Sequence, residues 1–246
     1  MKWTPAKVVE KKIWTEGLFT LKISAPQVNP FQPGQFLHLA MLEGDDRTNR
    51  PYSVASPHGA ELDFFIVLVE DGRLTPRLWA LEPGDELEVS ERAAGSFTLA
   101  KTPDAGNLWL MSTGTGLAPY VAMLRTAEPW ERYGKIVVVH GVRHGVDFAY
   151  QDELAEYKNR YGDRFEYVPI SSREESPGAL QGRIPQVMES GQLEAAAQCS
   201  LSGEDSAVLL CGNPAMLDEM EERLGNRGMI KHRKKEPGQI VLERYW

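Results

Sequence analysis

The chain of 246 residues, 25% charged and 42% hydrophobic, suits one large domain or two of ordinary size at about 100 to 200 residues each, and two is the starting expectation. A formal net charge of −8 argues against a general nucleic-acid binder, which needs a basic surface to meet phosphates. Cys199 and Cys211, the two cysteines, exclude a multi-disulfide framework and any four-cysteine metal or iron–sulfur site built from this chain alone. No apolar run approaches the roughly 18 residues that span a bilayer, and MKWTPAKVVEKKIW holds no continuous apolar stretch, so a cytoplasmic protein is expected.

Short runs with β character fill residues 1–100: AKVVEKKIWT, LFTLKIS, GQFLHLAML, YSVAS, LDFFIVLV and DELEVS, with SFTLA as a further candidate. Glycine, proline and aspartate signals at PFQPGQ, EGDDR, SPHGAE and LEPGDE separate them. Many strands at close spacing predict a small antiparallel barrel. One helix interrupts the series at RLTPRLWAL, with Thr75 at the N-cap, Pro76 at the first helical position and an N-terminus able to face an anion.

Beyond TPDAGN the units lengthen and alternate. NLWLM, KIVVVHGV, FEYVPIS, AVLLCG and QIVLERYW read as strands, and GLAPYVAMLRTA, DFAYQDELAEYKNRYG, IPQVMESG and AMLDEMEERLGNRG as helices. Buried apolar runs alternating with helices predict a doubly wound parallel sheet. The boundary between a first domain, 1–100, and a second, 101–246, falls at this change of pattern.

In an open parallel sheet ligands bind beyond the carboxyl ends of the strands. The first such end, STGTGLAP, carries Gly114 and Gly116, which let the backbone turn tightly and approach a diphosphate. Pro119 stands where the third glycine of the dinucleotide fingerprint would be, and a structural strand-to-helix turn explains two glycines nearly as well. Arg143 after HGV, Arg173 in ISSRE and Arg183 in GRIP lie at neighbouring strand ends. A strand-end acid would suit the ribose 2′-hydroxyl of NAD, whereas arginines suit the 2′-phosphate of NADP. LLCGNP places Cys211 where a nicotinamide could lie and Gly212 where a ring could approach the backbone, although a lone cysteine also packs well as a small apolar residue.

The stretch RPYSVASP places an arginine, a flat aromatic ring and a hydroxyl within one short strand: Arg50 can pair with a diphosphate, Tyr52 offers a face and Ser53 a donor. A flavin would use all three. The chain ends ERYW, and two terminal aromatics should cover something, whether a ligand or a groove between domains.

Taken in order along the chain, R-x-Y-S, G-T-G-L-A-P, C-G-N-P and the aromatic terminus resemble the ferredoxin (flavodoxin)–NADP reductase family, its bacterial branch in particular. That resemblance implies an FAD-binding barrel followed by an NADP(H)-binding α/β domain. It assigns Arg50 to the FAD diphosphate, Tyr52 to stacking on the isoalloxazine and Ser53 to a hydrogen bond near its N5, with Pro51 between them in place of a small residue. Phe65, Ile66, Val67 and Leu68 would lie along the flavin, and Arg73, Leu74 and Thr75 would hold its diphosphate. Thr115 would sit between the cofactors. Arg143, Ser172, Arg173 and Arg183 match positions that recognise the 2′-phosphate, with Gly212 and Asn213 also on the NADP side. Tyr245 looks like the residue stacked on the other flavin face and Trp246 like the one reaching the adenine.

The activity so implied is hydride transfer between NADPH and FAD, followed by single-electron exchange with ferredoxin or flavodoxin. Tyr52, Ser53, Cys211, Glu243 and Tyr245 are the residues expected around the reacting rings, Glu243 in electrostatics or proton supply. With no cysteine cluster of its own, the chain needs a separate carrier, and an acidic one would suit a docking patch built from KHRKK at 231–235 with Lys2, Lys7, Lys11, Lys12 and Arg47. Nothing demands more than a monomer. A free-flavin or quinone reductase of the same fold, and a flavin-binding redox sensor without turnover, remain as alternatives.

Overall fold

The computed structural model describes residues 1–44 and 46–244. It divides into two compact units, Met1–Thr98 with Ala118–Thr126, and Leu99–Leu117 with the chain from Ala127 onward.

The first unit contains six strands: β1 (Trp3–Thr15), β2 (Leu18–Ser24), β3 (Phe36–Glu43), β4 (Asp46–Ser53), β5 (Glu61–Val67) and β6 (Glu86–Ser90). Thr4, Ala6 and Val8 of β1 are buried while Pro5, Lys7 and Val9 face solvent, the two-residue alternation of a half-buried strand. Gly17, at φ +86°, makes the tight turn into β2. The strands pair antiparallel in the order β4-β3-β6-β1-β2-β5. The bridge between Val54 and Phe64 and the Ala55 N–H donated to the Asp63 carbonyl at 2.7 Å join the two outer strands, so the sheet closes into the expected barrel. Phe19, Leu21, Ile23, Leu37, Leu39, Leu62 and Phe64 fill it without exposure, and each such side chain contributes about 1.5 to 3 kcal/mol of burial.

Two local expectations need correction. Helix α1 (Thr75–Trp79) is capped at Leu74, with Thr75 already its first residue. The Thr75 hydroxyl is engaged elsewhere: it accepts from the Val69 N–H and donates to the Val69 carbonyl, both at 3.0 Å. SFTLA forms no strand; the nearby chain pairs with β3 only through Ala94 and Phe36, and Leu99–Lys101 closes into a 3₁₀ turn.

Helix α2 (Ala118–Leu124), buried along its whole length, clusters with the barrel unit. Arg125 follows it and donates to Asp63 Oδ2 at 2.6 Å and to the Ala55 carbonyl at 3.1 Å.

The second unit holds β7 (Asn107–Thr113), β8 (Lys135–Val142), β9 (Phe165–Ser171), β10 (Leu180–Gln181), β11 (Ser206–Gly212) and β12 (Ile240–Arg244). All pair parallel in the order β10-β9-β8-β7-β11-β12, the doubly wound sheet that the alternating pattern predicts. Helices α3 (Glu128–Arg132), α4 (Gln151–Tyr161), α5 (Ile184–Glu189), α6 (Gln192–Ala197) and α7 (Pro214–Asn226) accompany it. From β7 the chain builds outward through β8, β9 and β10, then returns to place β11 on the other side. The topological switch therefore lies between the carboxyl ends of β7 and β11. Among the described residues no helix is long and apolar enough to cross a membrane.

Candidate functional site

At the switch point two strand ends are drawn together by glycine. A Cβ on Gly116 would lie 2.6 Å from the Cys211 carbonyl oxygen, and one on Gly212 would lie 2.2 Å from Thr113 Oγ1. Gly114 has φ +53° and Gly212 φ +128°, both in the region that favours glycine. The Asn213 N–H donates to Thr113 Oγ1 at 2.8 Å, and Asn213 Oδ1 caps α7 by accepting from Ala215 and Met216. Glycine thus lets the ends of β7 and β11 meet at the switch point, with Thr115 half-buried between Gly114 and Gly116.

Beneath this loop lies a residue that sequence reading passes over. His140 of β8 is completely buried, its Nε2 3.0 Å from the Gly114 carbonyl and its Nδ1 3.4 Å from the Tyr167 hydroxyl. Burial lowers the His140 imidazole to about 4 and raises the Tyr167 phenol, so both are neutral at physiological pH.

Arg143, Arg173 and Arg183 follow β8, β9 and β10, three adjacent strands in parallel register. The Arg173 N–H donates to the Arg143 carbonyl at 3.0 Å. Ser172 donates through both its N–H and its hydroxyl to the Val142 carbonyl, at 3.0 and 3.1 Å. Glu174 ties the two loops further, accepting from the Gly145 N–H at 2.8 Å and meeting His144 Nδ1 at 3.3 Å. The Gly145 hydrogen bond, then His144, holds its carboxyl below the usual range. Arg183 stands at the N-cap of α5, where Gln186 Oε1 accepts from its N–H at 3.4 Å. All three arginines are exposed, and none forms an ion pair with another described residue, unlike Arg223 and Arg227 of the same unit.

In the barrel unit, Arg50 and Pro51 are exposed on β4, and Arg50 donates to the Asn49 carbonyl at 2.8 Å. Tyr52 is half-buried, its phenol pushed up to about 12 by burial and pulled down slightly by Arg50. Ser53 is buried at the end of β4. Closure of the barrel at Val54 and Phe64 brings these residues beside β5, where Phe65 and Ile66 are buried and Val67 is 38% exposed. Leu68 lies one residue past that strand. Leu74 is buried, while Arg73 is exposed and pairs with Asp46 at 3.0 Å.

Cys211 is fully buried and registers with Glu243 across β11 and β12; Glu243 is half-buried. Cys199 and Cys211 are not joined in a disulfide. Tyr245 and Trp246 lie outside the described residues. Part of the basic set is already neutralised: Lys11 pairs with Glu82 and Arg47 with Glu88 in the first unit, and Lys231 with Glu221 and Arg233 with Glu236 in the second.

A glycine-built switch point and three arginines without ion-pair partners at neighbouring strand ends suit a dinucleotide, and a family model for the oxidoreductase NAD-binding domain matches residues 110–222. The chain is 41% identical over 246 residues to a flavodoxin/ferredoxin–NADP reductase of Shigella flexneri and 40% identical to one of Escherichia coli, with 99% of each chain covered. A ferredoxin NADP+ reductase from Neisseria gonorrhoeae, solved with bound FAD and NADP, is 31% identical and superimposes with a TM-score of 0.94 over the whole of both chains. This chain belongs to the flavodoxin/ferredoxin–NADP reductase family, and is an oxidoreductase.

Proposed function

We propose that the barrel unit holds FAD, that the parallel-sheet unit holds NADP(H), and that the protein exchanges electrons with ferredoxin or flavodoxin. The chain fits both groups on its own chemistry. Gly116 and Gly212 let the ends of β7 and β11 pack closer than any Cβ would allow, and a glycine turn of this kind lets a diphosphate approach backbone N–H groups. The β4 segment offers a cation, an aromatic face and a hydroxyl in three of four consecutive residues. Bound FAD would supply the hydride and single-electron chemistry. The residues of this chain bind, orient and shield it: Arg50 and Arg73, with the backbone of Leu74 and Thr75 at the start of α1, hold the diphosphate, Pro51 sets the strand between Arg50 and Tyr52, and Tyr52 packs against the ring. Ser53 donates near the reactive nitrogen, and Phe65, Ile66, Val67 and Leu68 lie along the ring and keep water from it.

On the nucleotide side Arg143, Ser172, Arg173 and Arg183 recognise the 2′-phosphate, while Thr115, Gly212 and Asn213 face the nicotinamide end. Cys211 shapes the floor there and Glu243 sets its charge. For Tyr245 and Trp246 the resemblance to the family alone implies a role at the flavin. We place the enzyme in the cytoplasm as a monomer.

The observation that carries this reading is the set of three exposed arginines without ion-pair partners at adjacent strand ends. Steady-state electron transfer from NADPH to ferredoxin or flavodoxin tests it. Brisk transfer to either carrier is expected; absent transfer to both, with FAD still bound, would favour a redox sensor, and rapid loss of flavin with reduction of free flavins would favour a free-flavin reductase.

A further inference from the structure

Resting on the reading that the loop after β7 faces the nucleotide, we propose that His140 is the positioning residue of that loop: its Nε2–H holds the Gly114 carbonyl inward and so turns the Thr115 N–H outward, toward the nucleotide diphosphate. The argument begins with Gly114. No atom lies within 4 Å of where its Cβ would be, so crowding does not fix its conformation. Gly114, at φ +53°, opens the 3₁₀ turn Gly114–Leu117, and as a glycine it allows the peptide that follows more than one orientation. The described chain has no cis peptide bond, and in a trans peptide the carbonyl and the next N–H point in opposite directions. One orientation of that peptide offers a donor to an anion and the other offers a carbonyl oxygen that repels it.

His140 selects the first. A carbonyl only accepts, so the Nε2 that lies 3.0 Å from Gly114 O must carry the proton. Nδ1 of the neutral ring is then an acceptor, and the Tyr167 hydroxyl stands 3.4 Å away to donate to it. Phe148 packs edge-on against the imidazole with ring centroids 5.9 Å apart, and no part of His140 reaches solvent. The imidazole thus links the Tyr167 hydroxyl on β9 to the Gly114 carbonyl at the end of β7. Because the imidazole lies under the loop, it acts on the nucleotide through Gly114 alone.

The test uses the FAD-loaded enzyme and NADP+ or NADPH. His140→Leu removes the donor, and His140→Gln keeps an N–H near the position of Nε2. The leucine variant is expected to raise the KM for NADPH and the Kd for NADP+ about five- to tenfold, with a smaller effect on kcat. The glutamine variant should recover most of that affinity. Nitrogen NMR of the parent protein should show the Nε2–H tautomer. An Nδ1–H tautomer overturns the proposal, as does unchanged affinity in His140→Leu or equal weakening in both variants. If the leucine variant does not fold, the tautomer and a milder loss of affinity in Tyr167→Phe decide it. A parent protein that binds no NADP+ overturns the functional reading beneath, whereas tight binding that ignores His140 overturns the positioning role alone.

Discussion

Parallel strands lie about 4.8 Å apart, so guanidinium groups rooted just beyond β8, β9 and β10 share one edge of the sheet. A phosphate bound there would gain charge-assisted hydrogen bonds worth about 1.5 to 3 kcal/mol each. Arg173→Ala is therefore expected to raise the KM for NADPH roughly 10- to 100-fold while leaving that for NADH nearly unchanged; an equal effect on both would remove the 2′-phosphate assignment. His140 carries a prediction of the opposite kind, on stability. Its folded value of about 4 lies below the ordinary 6.5, so between those values the unfolded chain binds more protons and stability rises with pH. Acidification from pH 7 to 4 should cost on the order of 3 kcal/mol through this residue. Denaturant titrations of the parent and His140→Gln should converge toward pH 4 by about that amount, and parallel curves would contradict the assignment. The positions of Arg143 and Arg173 were legible because each follows an apolar run at a strand end, whereas Arg183 follows the two-residue β10, which no pattern announces. His140, inside KIVVVHGV, looks in sequence like one more core position, because its two partners lie 26 and 27 residues away.

Long elements with a clear period were readable, and short ones fixed by tertiary contacts were not. Helices α3 and α6 and strand β10 have 5, 6 and 2 residues, too few to display a period. The N-cap expected at Thr75 failed because its hydroxyl bonds Val69 instead. The link from Arg125 to Asp63 spans 62 residues, beyond any local pattern. It also fixes the end of α2 to the barrel, since Asp63 is 8% exposed and its oxygen would be left unpaired. Arg125→Met is expected to destabilise the protein by about 2 kcal/mol, seen as a lower denaturation midpoint; a change below a few tenths would show the pair to be dispensable. Gly116→Ala tests the close approach of β7 and β11. With a Cβ only 2.6 Å from a backbone oxygen, the loop must shift, and NADPH reduction should slow more than FAD binding weakens.

Over the whole molecule, the net charge of −8 opposes an acidic carrier, and local cations must overcome it. Lys234 and Lys235 are exposed, and neither joins an ion pair among the described residues, whereas Lys11 and Arg47 already have acidic partners. Charge reversal at Lys234 and Lys235 should therefore raise the KM for ferredoxin or flavodoxin and flatten its salt dependence. Carrier binding insensitive to salt would contradict a docking role for this segment. The two-part architecture followed from the change in pattern near residue 100, and the family followed from four short motifs in order. The central claim is that this chain couples NADPH to bound FAD. The anaerobic visible spectrum of the purified protein, recorded before and after NADPH and separately after NADH, tests it most directly. A yellow protein bleached rapidly by NADPH and sluggishly by NADH is the predicted result; a colourless protein that takes up no FAD, or a yellow one indifferent to both nucleotides, would contradict it.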